Sequence, residues 1–243
     1  MMMPSLESYL DATEACEDEE ALFRQFDIFV GSYGVDVSSY HIVAEHLRAI
    51  PLETGLVRQN FPEAWVEKYI EQHYSEIDPI IGQSRREARP FHWFDIDKKL
   101  SLNDKQKHFL DELREAGLTD GLAVPVFGPK GTMAYFGLGC VGHDLDVDDS
   151  QMVELQFACL QTHNRYIELS GITSAQPIKT LSPRETEVLT LVATGLSNNY
   201  IAERLNISEN TVDTMLRRVF SKLGVNNRIS AVLRGIGSGL ILP

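Results

Sequence analysis

The chain has 243 residues, 43% of them hydrophobic, which is enough to bury one or two cores. Its 22 Lys+Arg against 35 Asp+Glu give a formal net charge of −13. Taken whole, that balance argues against a nucleic-acid binder, because phosphate is held by clustered cations. Mean hydropathy is −0.15, and no apolar run approaches the ~20 residues that span a bilayer.

In chain order, Met1 to Glu7 lack the basic and apolar regions of a secretory leader. Cys16, Cys140 and Cys159 offer no C-x-x-C spacing, so neither a disulfide scaffold nor a zinc ribbon is expected and a reducing cytoplasm suits the chain. Residues 5–33 predict one or two amphipathic helices, with Leu22, Phe23, Phe26, Phe29 and Val30 at helical spacing. Residues 35–50 have extended character. Pro62 opens a helix through Tyr74, and Asn103 caps another that runs to about Ala116 and stops at Gly117. Leu122–Phe127 and Thr132–Val141 read as strands joined by a turn at Gly128–Gly131. Asp148 or Asp149 caps a long helix to about Leu169.

The charge divides the chain. Residues 175–243 hold 8 Lys+Arg and 5 Asp+Glu, a net of +3, which leaves 14 and 30, a net of −16, for residues 1–174. All seven histidines, both tryptophans and all three cysteines lie in the first part. This asymmetry predicts two domains with different partners, residues 1–170 and 181–243, joined by a polar linker over 171–180 that contains Gly171 and Pro177.

In the second part, Ser182-Pro183-Arg184-Glu185 is a capping box with proline at the permitted first position. Val188, Leu189, Val192 and Ala193 form a buried stripe ended by Gly195. Ser197 caps a short helix from Tyr200 to Leu205, Ser208 caps one from Glu209 to Leu223, and Asn227 caps one from Ile229 to about Gly235. The middle pair, joined by Asn206-Ile207, predicts a helix-turn-helix. On its second helix Val212, Leu216, Val219 and Leu223 face the core. Glu209, Asn210, Thr211, Asp213 and Thr214 could face base edges, while Arg217, Arg218 and Lys222 could reach phosphates. The plainer alternative is a solvated helix on a small bundle.

Leu181 to Leu189, Ala193 to Asn199, Ile201 to Leu205, Ile207 to Val212 and Lys222 to Val225 together resemble the LuxR-type helix-turn-helix domain. The family's hallmark Glu, Leu and Gly fall on Glu185, Leu189 and Gly195, where they hold cap, core and turn. Asp213 and Met215 depart from the Lys and His of many members. An aspartate there repels phosphate but can accept from a cytosine amino group.

That domain is shared by several regulator classes. A phosphoacceptor receiver needs acidic residues after buried strands, and the acidic run at 14–20 follows none. Phe61-Pro62-Glu63-Ala64-Trp65-Val66-Glu67-Lys68-Tyr69, Ile77-Asp78-Pro79, Pro90-Phe91-His92-Trp93 and Gly121 to Val126 are instead similar to the autoinducer-binding domain of quorum-sensing LuxR-type regulators. Its six hallmark positions fall on Trp65, Tyr69, Asp78, Pro79, Trp93 and Gly121. The resemblance implies an α+β chain: an N-terminal α/β/α sandwich and a C-terminal all-α four-helix domain. It implies an N-acyl-homoserine lactone as ligand and a homodimer on palindromic promoter DNA. RNA polymerase becomes a partner if the protein activates. No enzyme, cofactor, metal or membrane contact is implied. By resemblance, the Trp65 indole donates to the lactone carbonyl, Asp78 accepts from the ligand amide, Tyr69 donates to the acyl carbonyl and Trp93 packs on the lactone ring. Pro79 and Gly121 shape the site.

Taken alone, Trp65 and Tyr69 at helical spacing suit a core, and Asp78-Pro79 suits a turn. His41 and His46 have no third ligand at helical spacing and read as structural or solvated. Phe61, Ile80, Ala123 and Gly137 fall where several relatives carry hydroxyls near the acyl group. Their lack of hydroxyls predicts an unsubstituted, apolar acyl group, with Gly137 leaving room for a bulky tail. Two alternatives stay open: an orphan regulator sensing a non-lactone molecule, and one acting through protein contacts without ligand.

Overall fold

The computed structural model describes residues 4–42, 56–128, 133–171 and 180–242. These fall into two compact units, residues 4–171 and residues 180–242. Several sequence expectations lie outside the described residues: Met1 to Met3, residues 43–50 of the extended stretch with His46, Pro129 to Gly131 of the turn, Thr132 at the start of the following strand, linker residues 172–179 and Pro243.

The first unit opens with two capped helices, α1 (Leu6–Glu14) and α2 (Glu19–Gly31), where Ser5 and Asp18 accept from the Ser8 and Ala21 backbone N–H groups. Strands β1 (Val37–Ile42) and β2 (Leu56–Gln59) follow. Helix α3 covers Glu63–Glu71, shorter than the sequence predicts. Pro62 is its N-cap, and the chain breaks at His73, which takes a left-handed conformation before a 3-10 turn over Tyr74–Glu76. Three short elements come next: α4 (Pro79–Ser84), β3 (Phe91–His92) and α5 (Ile96–Lys99). Helix α6 (Asp104–Glu115) starts on a full Asn103–Gln106 capping box. Strand β4 (Leu118–Phe127) starts earlier than predicted and pairs with β5 (Met133–Val141) along its length. Asp148, not Asp149, caps α7 (Asp149–Leu169).

The sheet is antiparallel, in the order β2-β1-β5-β4-β3. Alternation along β1 sends Tyr40 to one face and Ser39 and His41 to the other. On the Tyr40 face, Phe23 and Phe26 of α2 and Tyr166 of α7 pack with Tyr40 and Phe136 of the sheet in an aromatic core, and the Tyr40 hydroxyl hydrogen-bonds His163 Nδ1 at 2.7 Å. The opposite face is covered by Trp65 of α3, Ile96 of α5 and Phe109 and Leu113 of α6, with Phe91 of β3 and Trp93 just after it. This is the expected α/β/α sandwich. Cys16, Cys140 and Cys159 are buried free thiols. No helix among the described residues is long and apolar enough to cross a membrane.

The second unit is four helices: α8 (Pro183–Ala193), α9 (Asn198–Leu205), α10 (Glu209–Leu223) and α11 (Arg228–Gly237). Ser182, Ser208 and Asn227 cap their helices as expected. Ser197 holds the N-cap position of α9 without a side-chain bond, and that helix begins at Asn198 rather than Tyr200. Val188, Leu189, Val192, Val212, Leu216, Val219 and Leu223 are all buried. Gly195 ends α8 at φ 84°, and Asn206 makes the left-handed corner between α9 and α10 at φ 53°.

Candidate functional site

The helix-covered face of the sheet holds a cavity of about 480 Å³, within the usual range for a small-molecule site. Seven of the ten residues expected to surround a ligand line it: Phe61, Trp65, Tyr69, Asp78, Ile80, Trp93 and Gly137. Pro79, Gly121 and Ala123 are buried beside the wall but do not line it.

Each lining group is set by local structure. Trp65 and Tyr69 lie one turn apart on α3 and share an aromatic cluster with Tyr74 and Phe109. Asp78 caps α4 just before Pro79, so its carboxylate is turned onto the helix's first amides. Oδ1 accepts from the Ile80 N–H at 2.7 Å and the Ile81 N–H at 3.4 Å, and Oδ2 accepts from the Tyr69 hydroxyl at 2.9 Å. Asp78 is 9% exposed. Burial pushes its carboxyl up to about 6, against the hydrogen bonds from Ile80, Tyr69 and Ile81, which lower it. Burial also raises the Tyr69 phenol well above its ordinary range, helped by the Asp78 charge, so the hydroxyl stays a donor.

Trp93 lies flat over the strands. A Cβ on Gly121 would come within 2.6 Å of Trp93 Cζ3 and of the Leu138 carbonyl oxygen, so only glycine admits the ring there. The Trp93 indole N–H is buried with no hydrogen-bond partner among the described residues. Gly137 does not open a channel. A Cβ there would meet Ser39 Oγ at 2.7 Å, Trp93 Cζ2 at 3.4 Å and Phe61 Cζ at 3.9 Å, so the space above it is already filled. This corrects the expectation of room for a bulky tail.

The hydroxyl-free wall expected from Phe61, Ile80, Ala123 and Gly137 is incomplete. Ser39, His41, Gln59, Ser75 and Tyr135 also line the cavity. Sequence reasoning passes over Ser39 and His41 as cavity residues because all six β1 residues are buried, leaving no polar alternation to mark the cavity face. Among the described residues, Asp36, Cys140 and His143 cluster as possible metal ligands elsewhere. Their atoms are already engaged: His143 Nε2 and the Val141 N–H contact Asp36 Oδ2, and Cys140 Sγ donates to the Gly34 carbonyl.

In the second unit, Asn210, Thr214, Arg217 and Arg218 are exposed on α10, with Thr211 and Asp213 partly so. Asp213 is ion-paired with Arg217, one turn along, so the acid offsets one of the expected phosphate contacts. Lys222 is placed differently from its expected phosphate role. Its Nζ donates to Glu185 Oε2 at 2.6 Å and to the Thr180 carbonyl at 3.1 Å. Glu185 in turn accepts from the Ser182 N–H at 2.7 Å, which closes the α8 capping box.

The autoinducer binding domain model matches residues 18–167, and the model of bacterial regulatory proteins of the luxR family matches residues 179–234. The chain is 30% identical over 237 residues to the HTH-type transcriptional regulator y4qH of Sinorhizobium fredii, covering 96% of this chain and 72% of that one. It is 26% identical over 235 residues to the quorum sensing-dependent transcriptional regulator RpaR of Rhodopseudomonas palustris, covering 96% and 93%. The crystal structure of Escherichia coli SdiA shares the fold with a TM-score of 0.72 at 21% identity, over 98% of both chains. An α/β/α unit built around a cavity and a helix-turn-helix unit, each matched by its own model, place this chain in the LuxR family of autoinducer-binding transcriptional regulators, which are DNA-binding proteins of quorum sensing and not enzymes.

Proposed function

We propose that the first unit senses an N-acyl-homoserine lactone and that the chain reads two-fold symmetric promoter DNA as a homodimer. One observation carries the ligand reading: a buried carboxylate, Asp78, faces a largely aromatic and aliphatic cavity beside Trp65 and Trp93. Oδ1 is held by two backbone amides, while Oδ2 keeps a lone pair beyond its bond to Tyr69. A ligand amide N–H fits that lone pair and favours the charged form. The Trp65 indole donates to the lactone carbonyl, and Trp93 packs on the ring. Phe61, Ile80 and Gly137 surround the acyl group, with Pro79, Gly121 and Ala123 holding the shape from behind the wall. Tyr69 positions Asp78. It reaches the acyl carbonyl only by giving up that bond, because a phenol has one proton to donate.

In the reader, Asn210, Thr211, Asp213 and Thr214 face base edges, and Arg217 and Arg218 face phosphates. A net of only +3 over residues 175–243, with Lys179 of the linker counted, makes one unit a modest binder, so affinity rests on pairing two half-sites. Exposed Val153 and Phe157 on α7, and Ile229 and Leu233 on α11, form apolar pairs one turn apart that suit contacts between subunits. The sensor spans 1–170, the linker 171–180 and the reader 181–243. RNA polymerase is a further partner if the protein activates.

The test is calorimetric titration of the full-length chain with lactones of increasing acyl length, for wild type and Asp78→Ala. Saturable binding by wild type, weakened at least tenfold in the variant, supports the reading. Binding by no lactone, or equal binding by both proteins, overturns it. Promoter regulation that survives unchanged in both Asp78→Ala and Trp65→Phe would favour action through protein contacts instead.

A further inference from the structure

Two neighbouring rungs of the sheet face the cavity. One carries Gln59, Ser39 and Gly137 across three strands, and the next carries Leu56, His41 and Tyr135. The helices supply Trp65, Tyr69 and Asp78 to the rest of the wall, so the cavity has a helix side and a sheet side.

On the sheet side His41 stands out. It is 9% exposed, and its ring stacks on Tyr135 with centroids 4.6 Å apart and planes 10° apart. Its Nδ1 is buried with no hydrogen-bond partner among the described residues. An unpartnered buried nitrogen penalises the fold, whereas a leucine or phenylalanine would line the same wall without penalty. Burial pushes the imidazole down to about 3, so it stays neutral through the physiological range. A neutral imidazole donates or accepts at Nδ1 according to its tautomer, so it can meet either a keto oxygen or a hydroxyl. The second polar side chain on the same strand face, Ser39, lies two residues away with its Oγ above Gly137.

We propose that the acyl part of the signal carries an oxygen substituent, a hydroxyl or a keto group, that hydrogen-bonds His41 Nδ1 beside Ser39. This rests on the lactone reading given above and replaces the unsubstituted acyl group expected from Phe61, Ile80, Ala123 and Gly137. Asp78 and Trp65 on the helix side hold the head of the ligand. His41 on the sheet side selects among acyl groups and is thus a specificity-determining residue.

The experiment is calorimetric titration of the full-length chain with four lactones of one chain length: unsubstituted, 3-oxo, 3-hydroxy and terminally hydroxylated. Wild type is compared with His41→Phe, which keeps a ring against Tyr135 and removes the nitrogen. At least one oxygenated lactone should bind wild type tenfold or more tightly than the unsubstituted one. In His41→Phe that advantage should fall below threefold, with the unsubstituted lactone bound as well as before. Wild type preferring the unsubstituted lactone, or His41→Phe keeping the advantage, overturns the inference. The wild-type comparison stands even if the variant fails to fold. Lactone binding without a preference for oxygen overturns the His41 inference alone, whereas binding of no lactone overturns both readings.

Discussion

The Tyr69 hydroxyl donates to Asp78 Oδ2 at 2.9 Å, which ties the aromatic face of α3 to the carboxylate that caps α4. The bond fixes the direction of the remaining Oδ2 lone pair. Tyr69→Phe keeps the ring packing against Trp65 and Phe109 and removes only the donor. A hydrogen bond to a charged group is worth about 1.5–3 kcal/mol, and part of that organisation is lost to the ligand. Lactone affinity should fall roughly threefold to thirtyfold, while Tyr69→Phe remains folded by circular dichroism. Unchanged affinity would show that Asp78 is held by its amide contacts alone.

Ligand binding should depend on pH through Asp78. Burial raises its carboxyl to about 6, above the ~3.9 of an unfolded aspartate, so the native state holds this proton more tightly than the unfolded chain. The stability this group contributes is therefore full below the unfolded value and is lost as pH rises through about 6. A ligand N–H on Oδ2 favours the ionised form and lowers its pKa. Lactone affinity should rise with pH up to about 6, by at most about tenfold per unit, and be level above it. Asp78→Asn should bind more weakly with no such slope. A wild-type affinity that is flat from pH 5 to pH 7.5 contradicts the assignment, and calorimetry across that range decides it.

Much of this architecture is legible in the chain because its helices carry their own start signals. Asn103, Asp148, Ser182, Ser208 and Asn227 each precede an amphipathic run and each cap it. Strands β2 and β3 are not legible, since four and two residues are too few to show alternation. The pocket aromatics stand out as a spaced pattern. Ser39 and His41 do not, because β1 is buried on both faces and its polar residues resemble core exceptions. Tyr69 and Asp78 can be placed in one site from sequence, but their mutual bond depends on the left-handed turn at His73. Lys222 and Glu185 are 37 residues apart, beyond the reach of any local spacing argument.

Gly121→Ala should disturb the cavity from behind its wall. The added Cβ would lie 2.6 Å from the Leu138 carbonyl oxygen and 2.6 Å from Trp93 Cζ3. The backbone oxygen is fixed by the sheet, so the indole must move. Overpacking of this kind costs about 1–3 kcal/mol, and each kcal/mol lowers the melting temperature by roughly 2–4 °C for a chain this size. The chain's two tryptophans, Trp65 and Trp93, both line the cavity, so intrinsic fluorescence reports the shift directly. An unchanged melting temperature and emission spectrum would contradict this placement of Trp93.

On α10, where the proposed DNA contacts lie, Asp213→Lys should free Arg217 from its ion pair and replace a negative charge by a positive one. Affinity for random-sequence DNA should rise. The slope of log affinity against log salt should steepen by about 0.9 for each new phosphate contact. Binding-site selection with both proteins then tests base readout. Identical selected sequences would remove Asp213 from it.

Lys222→Met separates a structural lysine from a phosphate-binding one. The Lys222 Nζ bridges Glu185 Oε2 and the Thr180 carbonyl, and Glu185 is only 5% exposed. Desolvation raises the Glu185 carboxyl, but hydrogen bonds from Lys222 and Ser182 outweigh it and hold the group below its ordinary value. Glu185 therefore contributes stability at neutral pH that is lost as the solution is acidified through its lowered pKa. Without Lys222 the buried carboxylate keeps only its contacts with Ser182, and the α8 cap weakens. The variant should unfold at lower temperature, with the deficit shrinking as pH falls and Glu185 takes up a proton. Its salt slope for DNA binding should equal that of wild type. A slope smaller by about 0.9 with an unchanged melting temperature would return Lys222 to the phosphate backbone.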